Sequence, residues 1–182
     1  MEFETENLII REFSGRDIDR LIYLLNNLNV TKWLLVYPYP LDLSDAEKSL
    51  NHMIMRSQEN PRTGYNMAIE LKSEGKLIGN VSLVKIDHNQ KTASVMYWLG
   101  EDYWRRGYGS EALKELLEFG IKKLNLRKIT AEVYPGNEGS AKLLEKFGFK
   151  REGYSRESVV CKADNQLKDT ISYGLLSKEY RD

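Results

Sequence analysis

Cysteine and histidine are scarce in this chain of 182 residues, which holds one cysteine, Cys161, and two histidines, His52 and His88. A single cysteine excludes a disulfide framework within the chain and any zinc site built from several thiolates. The two histidines lie far apart in the sequence, so a histidine-rich metal site is not expected either. We therefore expect no metal in this protein.

An excess of charge of one sign and long apolar runs are also missing. The 27 basic residues balance 27 acidic ones, which argues against a protein that binds nucleic acid by neutralising phosphates. No stretch of about 18 apolar residues would cross a membrane. The acidic start M-E-F-E-T-E-N-L lacks the basic and apolar segments of a signal peptide. These absences predict a cytoplasmic protein without direct contacts to nucleic acid or membrane.

Repeats, low-complexity tracts and linkers are absent too, and only four prolines occur. We therefore expect residues 1–182 to form a single domain. The composition, 41% hydrophobic and 30% charged, is that of a globular protein. A compact chain of this size buries roughly two thirds of its unfolded surface, which is enough for a substantial core.

The hydrophobic pattern predicts both strands and helices, because apolar residues recur at helical spacing in some segments and alternate in others. Ser44 and Glu47 have the spacing of a capping box at the start of the second helix. The expected helices are 17–28, 44–58, 110–124 and 139–146, and the expected strands are 8–11, 65–71, 76–86, 92–99, 128–134, 157–161 and 170–176. This order predicts an α+β, three-layer protein with a mixed, mostly antiparallel sheet flanked by helices.

The most informative segment is Y-W-L-G-E-D-Y-W-R-R-G-Y-G-S-E-A, residues 97–112, where a strand, a polar loop and the strongest helix follow one another. A helix N-terminus presents unpaired N–H groups and a partial positive charge, both of which suit a phosphate. Gly107 and Gly109 let a backbone approach closely, while Arg105 and Arg106 add positive charge. The alternative is a glycine turn with two solvated arginines.

The same glycines also fit a dinucleotide-binding fingerprint. G-Y-G-S-E-A has the form G-x-G-x-x-A, and Glu132 follows about 20 residues later. However, residues 100–106 separate the strand from the first glycine, and only one short helix and two strands follow. That is too little chain for a doubly wound sheet, so the fingerprint is the weaker interpretation.

The segment resembles the acyl-CoA-binding motif Q/R-x-x-G-x-G/A of the GNAT N-acetyltransferase superfamily, with Trp104 in the first position. The form Y-W-x-x-G-Y-x-x-E-A resembles the branch that includes ribosomal-protein N-terminal acetyltransferases. N-E-G-S-A-K-L-L-E-K-F-G-F-K-R-E-G at 137–153 is similar to the N-x-x-S/A…GF…EG segment of the family. The opening L-I-I-R-E-F and the closing K-D-T-I-S-Y-G-L-L-S-K-E-Y match as well, so the resemblance spans nearly the whole chain.

The resemblance implies acetyl-CoA as cosubstrate and a GNAT fold with a splayed parallel strand pair, here 92–99 and 128–134. The pantetheine arm would lie between these strands and bind backbone groups of Trp98, Leu99 and Gly100, and Asn137 would contact it from the end of the second strand. The N–H groups expected to hold the pyrophosphate belong to Arg105, Arg106, Gly107, Tyr108, Gly109 and Ser110.

The resemblance leaves the proton-transfer groups open, because the tyrosine that many members carry seven residues after the asparagine is replaced by Leu144. Ser140 and Tyr134 are candidates to protonate the leaving thiolate. Their alternatives are a helix-starting serine and a core aromatic residue. The 92–99 strand has no carboxylate, so Glu132 and Glu70, on neighbouring strands, are the candidates to act on the amine, unless both are simply solvated.

The acceptor pocket is expected to include Trp33, Tyr37 and Tyr39 from an aromatic loop, together with Glu70 and the final strand pair. The leading acceptor is the α-amine of a protein or peptide, such as a ribosomal protein. The alternatives are a small amine (a polyamine, an amino acid or an aminoglycoside-like compound) and a CoA-binding sensor without turnover. The final strands also offer an edge for pairing across a homodimer.

Overall fold

The computed structural model describes residues 1–180. Five α-helices are described, namely α1 (Ile18–Leu25), α2 (Leu28–Thr31), α3 (Leu43–Arg56), α4 (Tyr108–Glu118) and α5 (Glu138–Lys146). The strands are β1 (Glu2–Glu4), β2 (Leu8–Glu12), β3 (Tyr65–Leu71), β4 (Lys76–Asp87), β5 (Thr92–Leu99), β6 (Lys128–Val133), β7 (Lys150–Val160) and β8 (Leu167–Leu176).

All eight strands belong to one sheet with the order β1-β2-β3-β4-β5-β6-β8-β7. Every neighbouring pair is antiparallel except β5 and β6, which run parallel. A parallel pair needs a long crossover, and α4 supplies it between these two strands. The predicted mixed, mostly antiparallel sheet flanked by helices is thereby confirmed.

The helices lie against both faces of the sheet, and β5 shows which residues face which layer. Leu99 lies next to Gly109 of α4, whereas Gly100 packs against Leu24 of α1. Because successive strand residues point to opposite faces, the odd-numbered side chains of β5 face the α4 and α5 layer. The even-numbered side chains face the α1 layer.

The strongest predicted helix is present, but its last turns differ from the prediction. The α-helix ends at Glu118 and continues as a π-helical turn over Phe119–Lys123. At Gly120 a Cβ would stand only 3.0 Å from Leu83 Cδ1 and 3.2 Å from Leu126 Cδ1. The wider turn therefore brings a glycine backbone against the sheet, where a side chain would not fit without local rearrangement.

Three other local predictions are wrong at the level of single residues. Helix α3 begins at Leu43, and its cap is Asp42, whose Oδ1 accepts the Asp45 N–H at 2.8 Å. The expected cap at Ser44 is therefore inside the helix. The first expected helix ends early, at Leu25, and a separate short helix, α2, follows it. Strand β1 was not expected at all.

Strand β7 begins at Lys150, seven residues before the expected start at Glu157. It lies at the edge of the sheet and is exposed on both faces, so its sequence has no apolar alternation. The register between β7 and β8 shifts between Ser155 and Val159, and such bulges together with charged side chains oppose edge-to-edge pairing. Pairing across a homodimer through these strands stays a prediction.

Two kinds of feature are absent from residues 1–180. None of the helices described there combines the length and the hydrophobicity that a membrane span requires. Within the same residues, no three His, Cys, Asp or Glu side chains come together as a group that could hold a metal ion.

Candidate active site

The parallel strands β5 and β6 are paired at one end and separate at the other. Their register runs from Thr92 opposite Lys128 to Ser94 opposite Thr130, and pairing stops there. Beyond this point β5 continues to Leu99 along β4, and β6 continues to Val133 along β8. The two strands therefore enclose a gap whose walls are 95–99 and 131–133, and the predicted splayed pair is confirmed.

Backbone groups on one wall of this gap have no strand to pair with. Gly100 donates its N–H to Ile78 O of β4 at 2.9 Å. Because backbone groups alternate between the two sides of a strand, those of Tyr97 and Leu99 face away from β4, towards the gap. The Leu99 carbonyl accepts a hydrogen bond from Trp104 Nε1 at 2.7 Å. Of the predicted contacts Trp98, Leu99 and Gly100, the geometry best suits Leu99, and it adds Tyr97.

The turn that opens α4 has the geometry expected of an anion-binding loop. Gly107 is the N-cap residue with φ +85°, in the left-handed region that favours glycine. No atom of residues 1–180 lies within 4 Å of the position where its Cβ would stand, apart from its chain neighbours. The N–H groups of Tyr108, Gly109 and Ser110 in the first helical turn have no intrahelical acceptor. These groups therefore open onto unfilled space at the positive end of the helix.

Positive charge surrounds this turn. Arg105 and Arg106 lie directly before it and are exposed. The sequence analysis missed Lys146, whose Nζ donates to Ser110 Oγ at 2.6 Å from the last turn of α5. A basic residue in the last helical turn normally serves that helix's own carbonyl end, so the pattern gave no reason to place Lys146 beside α4.

The first turn of α5 lies across the gap from β5. Asn137 caps the helix, and its Oδ1 accepts the Ser140 N–H at 3.2 Å. The capping role considered for Ser140 therefore belongs to Asn137. The Ser140 hydroxyl instead lies 2.8 Å from the hydroxyl of Tyr97, a residue that the sequence analysis did not single out.

Tyr134 follows β6 directly, and its side chain is almost completely buried. Its hydroxyl is buried and finds no hydrogen-bond partner among residues 1–180. Burial, together with the nearby Cys161, Asp164 and Glu132, raises the pKa of Tyr134 to about 12. An orphaned buried hydroxyl is costly in a finished core, so this group is a candidate to meet a bound substrate. Glu132, two residues earlier, is exposed.

The aromatic loop lies beside the turn that follows β6. The indole ring of Trp33 packs against Gly136, where a Cβ would stand 3.7 Å from Trp33 Cη2. The Cys161 thiol, at the end of β7, lies 3.8 Å from Lys32 O and 3.7 Å from Leu34 O. The loop and the last strand pair therefore close one side of the site together.

The two predicted tyrosines of this loop have different environments. Tyr39 is 41% exposed, whereas Tyr37 is 8% exposed and belongs to the core. The Tyr37 hydroxyl accepts a hydrogen bond from Ser49 Oγ of α3 at 3.2 Å. Tyr39 is therefore accessible to an acceptor, whereas Tyr37 anchors the loop to the core and to α3.

Glu70 is not brought to the gap. It lies on β3, two strands away from β5, and its Oε2 accepts hydrogen bonds from Arg11 Nε at 2.8 Å and from Arg16 at 2.9 Å. Arg11 also forms a bidentate ion pair with the buried Asp17. The Glu70 carboxylate therefore belongs to a network of ion pairs that joins β2 and β3 to the start of α1.

Comparison with known proteins agrees with this geometry. A family model described as an acetyltransferase (GNAT) domain matches residues 7–150. The N-acetyltransferase p20 of Bacillus licheniformis is 32% identical over 179 residues, which cover 97% of this chain and 96% of p20.

Two solved structures share the fold over nearly the full length. Ribosomal-protein-S5-alanine acetyltransferase from Vibrio fischeri is 22% identical with a TM-score of 0.83, and 100% of both chains is covered. Spermidine N-acetyltransferase from Vibrio cholerae, in complex with CoA and spermine, is 21% identical with a TM-score of 0.79, covering 96% of this chain and 98% of its own. The two names give different acceptors, so the acceptor has to be argued from this chain's own residues.

Proposed function

This chain belongs to the GNAT acetyltransferase family and is an acetyl-CoA-dependent N-acetyltransferase, and on that premise we propose that its acceptor is the α-amine of a protein or peptide. The observation that carries the proposal is the scarcity of carboxylates at the gap. Strand β5 has none, Glu70 is bound by two arginines, and Glu132 is exposed. The site therefore offers little help in removing a proton from the acceptor.

The free energy needed to remove that proton depends on the pKa of the amine. At pH 7, deprotonating a lysine ε-amine with a pKa of ~10.4 costs ~4.6 kcal/mol, whereas an α-amine with a pKa of ~7.8 costs only ~1 kcal/mol. A polyamine resembles the lysine case and carries several charges, which would favour a pocket with several carboxylates. Near the Tyr134 hydroxyl the site has the exposed Glu132 and Asp164, and Lys168 Nζ already donates to Asp164 Oδ2 at 2.6 Å. A site with so few available carboxylates suits the α-amine better.

The surface next to the gap supports a peptide acceptor as well. The loop that packs against Gly136 carries three exposed apolar side chains, Leu35, Val36 and Tyr39, and Met96 on the open part of β5 is 41% exposed. Exposed apolar surface beside a site commonly marks the place where a protein or peptide binds. We propose that the first side chains of the acceptor, such as a ribosomal protein, pack here.

The residues present fit acetyl-CoA as cosubstrate. The open space at Gly107 and the N–H groups of Tyr108 to Ser110 would hold its diphosphate, with Lys146 and the two exposed arginines beside them. The backbone edge at Tyr97 and Leu99 would bind the pantetheine arm. Acetyl-CoA supplies an activated thioester that reacts with the neutral amine.

Three tasks fall to the protein in this transfer. It positions the amine against the thioester carbonyl, offers hydrogen-bond donors to the oxygen that becomes negative, and protonates the sulfur that leaves. Two hydroxyls are available for the last task, that of Ser140 in the first turn of α5 and the orphaned one of Tyr134. Glu132 is the carboxylate that would accept the amine's proton through water.

The test is release of the CoA thiol from acetyl-CoA in the presence of three acceptor sets. The first contains peptides with a free N-terminus, including ribosomal-protein N-termini; the second contains the same peptides with a blocked N-terminus and an internal lysine. The third contains spermidine, free amino acids and an aminoglycoside. We expect turnover with the first set and its loss on blocking. Turnover restricted to the third set would contradict the proposed acceptor.

A further inference from the structure

The hydroxyl of Tyr97 bridges the open end of the gap. It lies 2.8 Å from Ser140 Oγ, where either hydroxyl can donate, and 3.1 Å from Ser140 O, a second acceptor for the tyrosine hydrogen. Tyr97 belongs to the open half of β5, and Ser140 belongs to the helix that follows β6. Where the two strands have stopped pairing through their backbones, this side-chain contact therefore takes over the link between them.

The contact fixes a hydroxyl that would otherwise rotate. The Ser140 N–H is held by Asn137 Oδ1, so the backbone at Ser140 is anchored on one side by the cap. Its hydroxyl, in contrast, has three staggered positions open to it. Either hydroxyl of this pair can be the donor. When the half-buried Tyr97 donates, the bond selects one of these positions and leaves the serine hydrogen free to point to another acceptor.

We propose that Tyr97 is a positioning residue for acetyl transfer, which holds the Ser140 hydroxyl towards the sulfur of the bound thioester. The inference rests on the proposed function, because it needs acetyl-CoA in the gap. In the reaction a C–N bond forms and the C–S bond breaks. The nitrogen loses one hydrogen and the sulfur gains one, so no oxidant or reductant is required. Ser140 gives its hydrogen to the sulfur, Glu132 takes the proton that the nitrogen loses through water, and water returns a proton from Glu132 to Ser140.

Tyr97 itself keeps its hydrogen throughout. Its side chain is half-buried, and this burial raises the pKa of Tyr97 above the usual tyrosine value, although the bond to Ser140 opposes the shift. Ionisation of Tyr97 is therefore unfavourable during catalysis. Its effect on the reaction passes through the orientation of Ser140.

The variant Tyr97→Phe removes the bridging oxygen and keeps the ring. We expect kcat with an N-terminal peptide to fall about tenfold, the effect of one lost hydrogen bond, while the KM for acetyl-CoA stays within about twofold. The double variant Tyr97→Phe/Ser140→Ala should be no slower than Ser140→Ala, because Tyr97 acts through that serine. Unchanged kcat in Tyr97→Phe, or losses that multiply in the double variant, would overturn the proposal.

A matched control lies on the same two strands. Ser94 Oγ and Thr130 Oγ1 are also 2.8 Å apart, but in the paired half of β5 and β6. Thr130→Val removes that hydroxyl contact without changing the shape of the side chain much. We expect kcat to stay within about twofold of the parent, because backbone pairing already holds the strands there.

A second measurement needs no acceptor. A hydroxyl that donates to the sulfur of bound CoA stabilises the thiolate, so the pKa of the bound thiol, followed by thiolate ultraviolet absorbance, should lie lower in the parent than in Tyr97→Phe by about half a unit or more. Equal values would contradict the Tyr97 proposal even if turnover exists. Failure of the parent to bind CoA at all would instead contradict the proposed function.

Discussion

The two halves of the β5–β6 pair differ in what holds them together. From Thr92 to Ser94 the strands are joined by backbone pairing, and the neighbouring Ala93 and Ile129 are buried in the core. From Val95 onwards the backbones part, and a side-chain contact between Tyr97 and Ser140 spans the gap. The paired half is part of the hydrophobic core, whereas polar groups and Met96 remain accessible in the open half.

This difference separates stability from function within one strand. In the paired half backbone pairing joins the strands and the side chains of Ala93 and Ile129 are buried, both of which favour folding. In the open half the backbone groups of Tyr97, the N–H of Leu99 and the hydroxyl of Tyr134 are available to a ligand. Groups left without partners reduce stability, and their concentration beside the gap supports the proposal that acetyl-CoA binds there.

The largest expected effect is on folding and comes from the paired half. Ile129→Ala removes a fully buried side chain and should lower the free energy of unfolding by about 2–5 kcal/mol, with the CoA affinity of the folded protein within about twofold. Denaturant titration and calorimetry of CoA binding measure the two quantities. Met96→Ala, in the open half, is the control and should cost less than about 1 kcal/mol. A larger loss of stability in Met96→Ala than in Ile129→Ala would contradict the contrast between the two halves.

The next effect is on CoA binding and comes from the turn beyond the open half. Gly107→Glu puts a carboxylate at the helix N-terminus where the diphosphate is expected, and should weaken CoA binding at least about 100-fold. Gly75→Glu is matched to it, because Gly75 also has a positive φ and open space around its Cβ position but lies in the β3–β4 turn. Equal CoA affinities in the two variants, measured by calorimetry, would refute the placement.

A smaller effect is expected at the orphaned hydroxyl of the open half. Tyr134→Phe removes a buried oxygen that has no partner in the described part of the chain, so the melting temperature should stay the same or rise slightly. If this hydroxyl meets the substrate, kcat should fall about tenfold. A lower melting temperature with normal kcat would assign Tyr134 to the core instead.

The smallest expected effect is on the pH dependence of kcat/KM, which distinguishes an α-amine acceptor from a lysine-like one. With an N-terminal peptide, kcat/KM should rise with pH as the α-amine loses its proton and level off above its pKa of ~7.8. Burial raises the pKa of Tyr134 to about 12, so this hydroxyl remains a proton donor over the whole range. A rate that still rises tenfold per pH unit above about pH 9 would indicate an acceptor with an ordinary lysine-like pKa.

Much of the fold could be predicted from the sequence, because it depends on local patterns. Strand β5 was expected at its observed bounds, and the glycine turn at 107–109 was expected to precede the helix with the strongest apolar pattern. Strand β7 was predicted too short because an edge strand exposed on both faces has no apolar alternation. Asp42 was overlooked as a cap because Ser44 had the more familiar spacing to a glutamate.

The site was harder to predict, because its contacts join distant parts of the chain. Tyr97 and Ser140 are brought together only by the crossover through α4, and Lys146 reaches Ser110 from the far end of another helix. No spacing rule connects such residues. Glu70, in contrast, was chosen as an available carboxylate, and only the folded structure shows that two arginines already bind it.

The central claim is that the open half of the strand pair and the first turn of α4 bind acetyl-CoA. Hydrogen–deuterium exchange of the whole chain with and without CoA tests it most directly. The account predicts slower exchange at 95–99 and 108–110 when CoA is bound, and unchanged exchange at 92–94 and 128–130, where the amides are already paired. Protection confined to other segments, or equal in both halves of the strand pair, would contradict it.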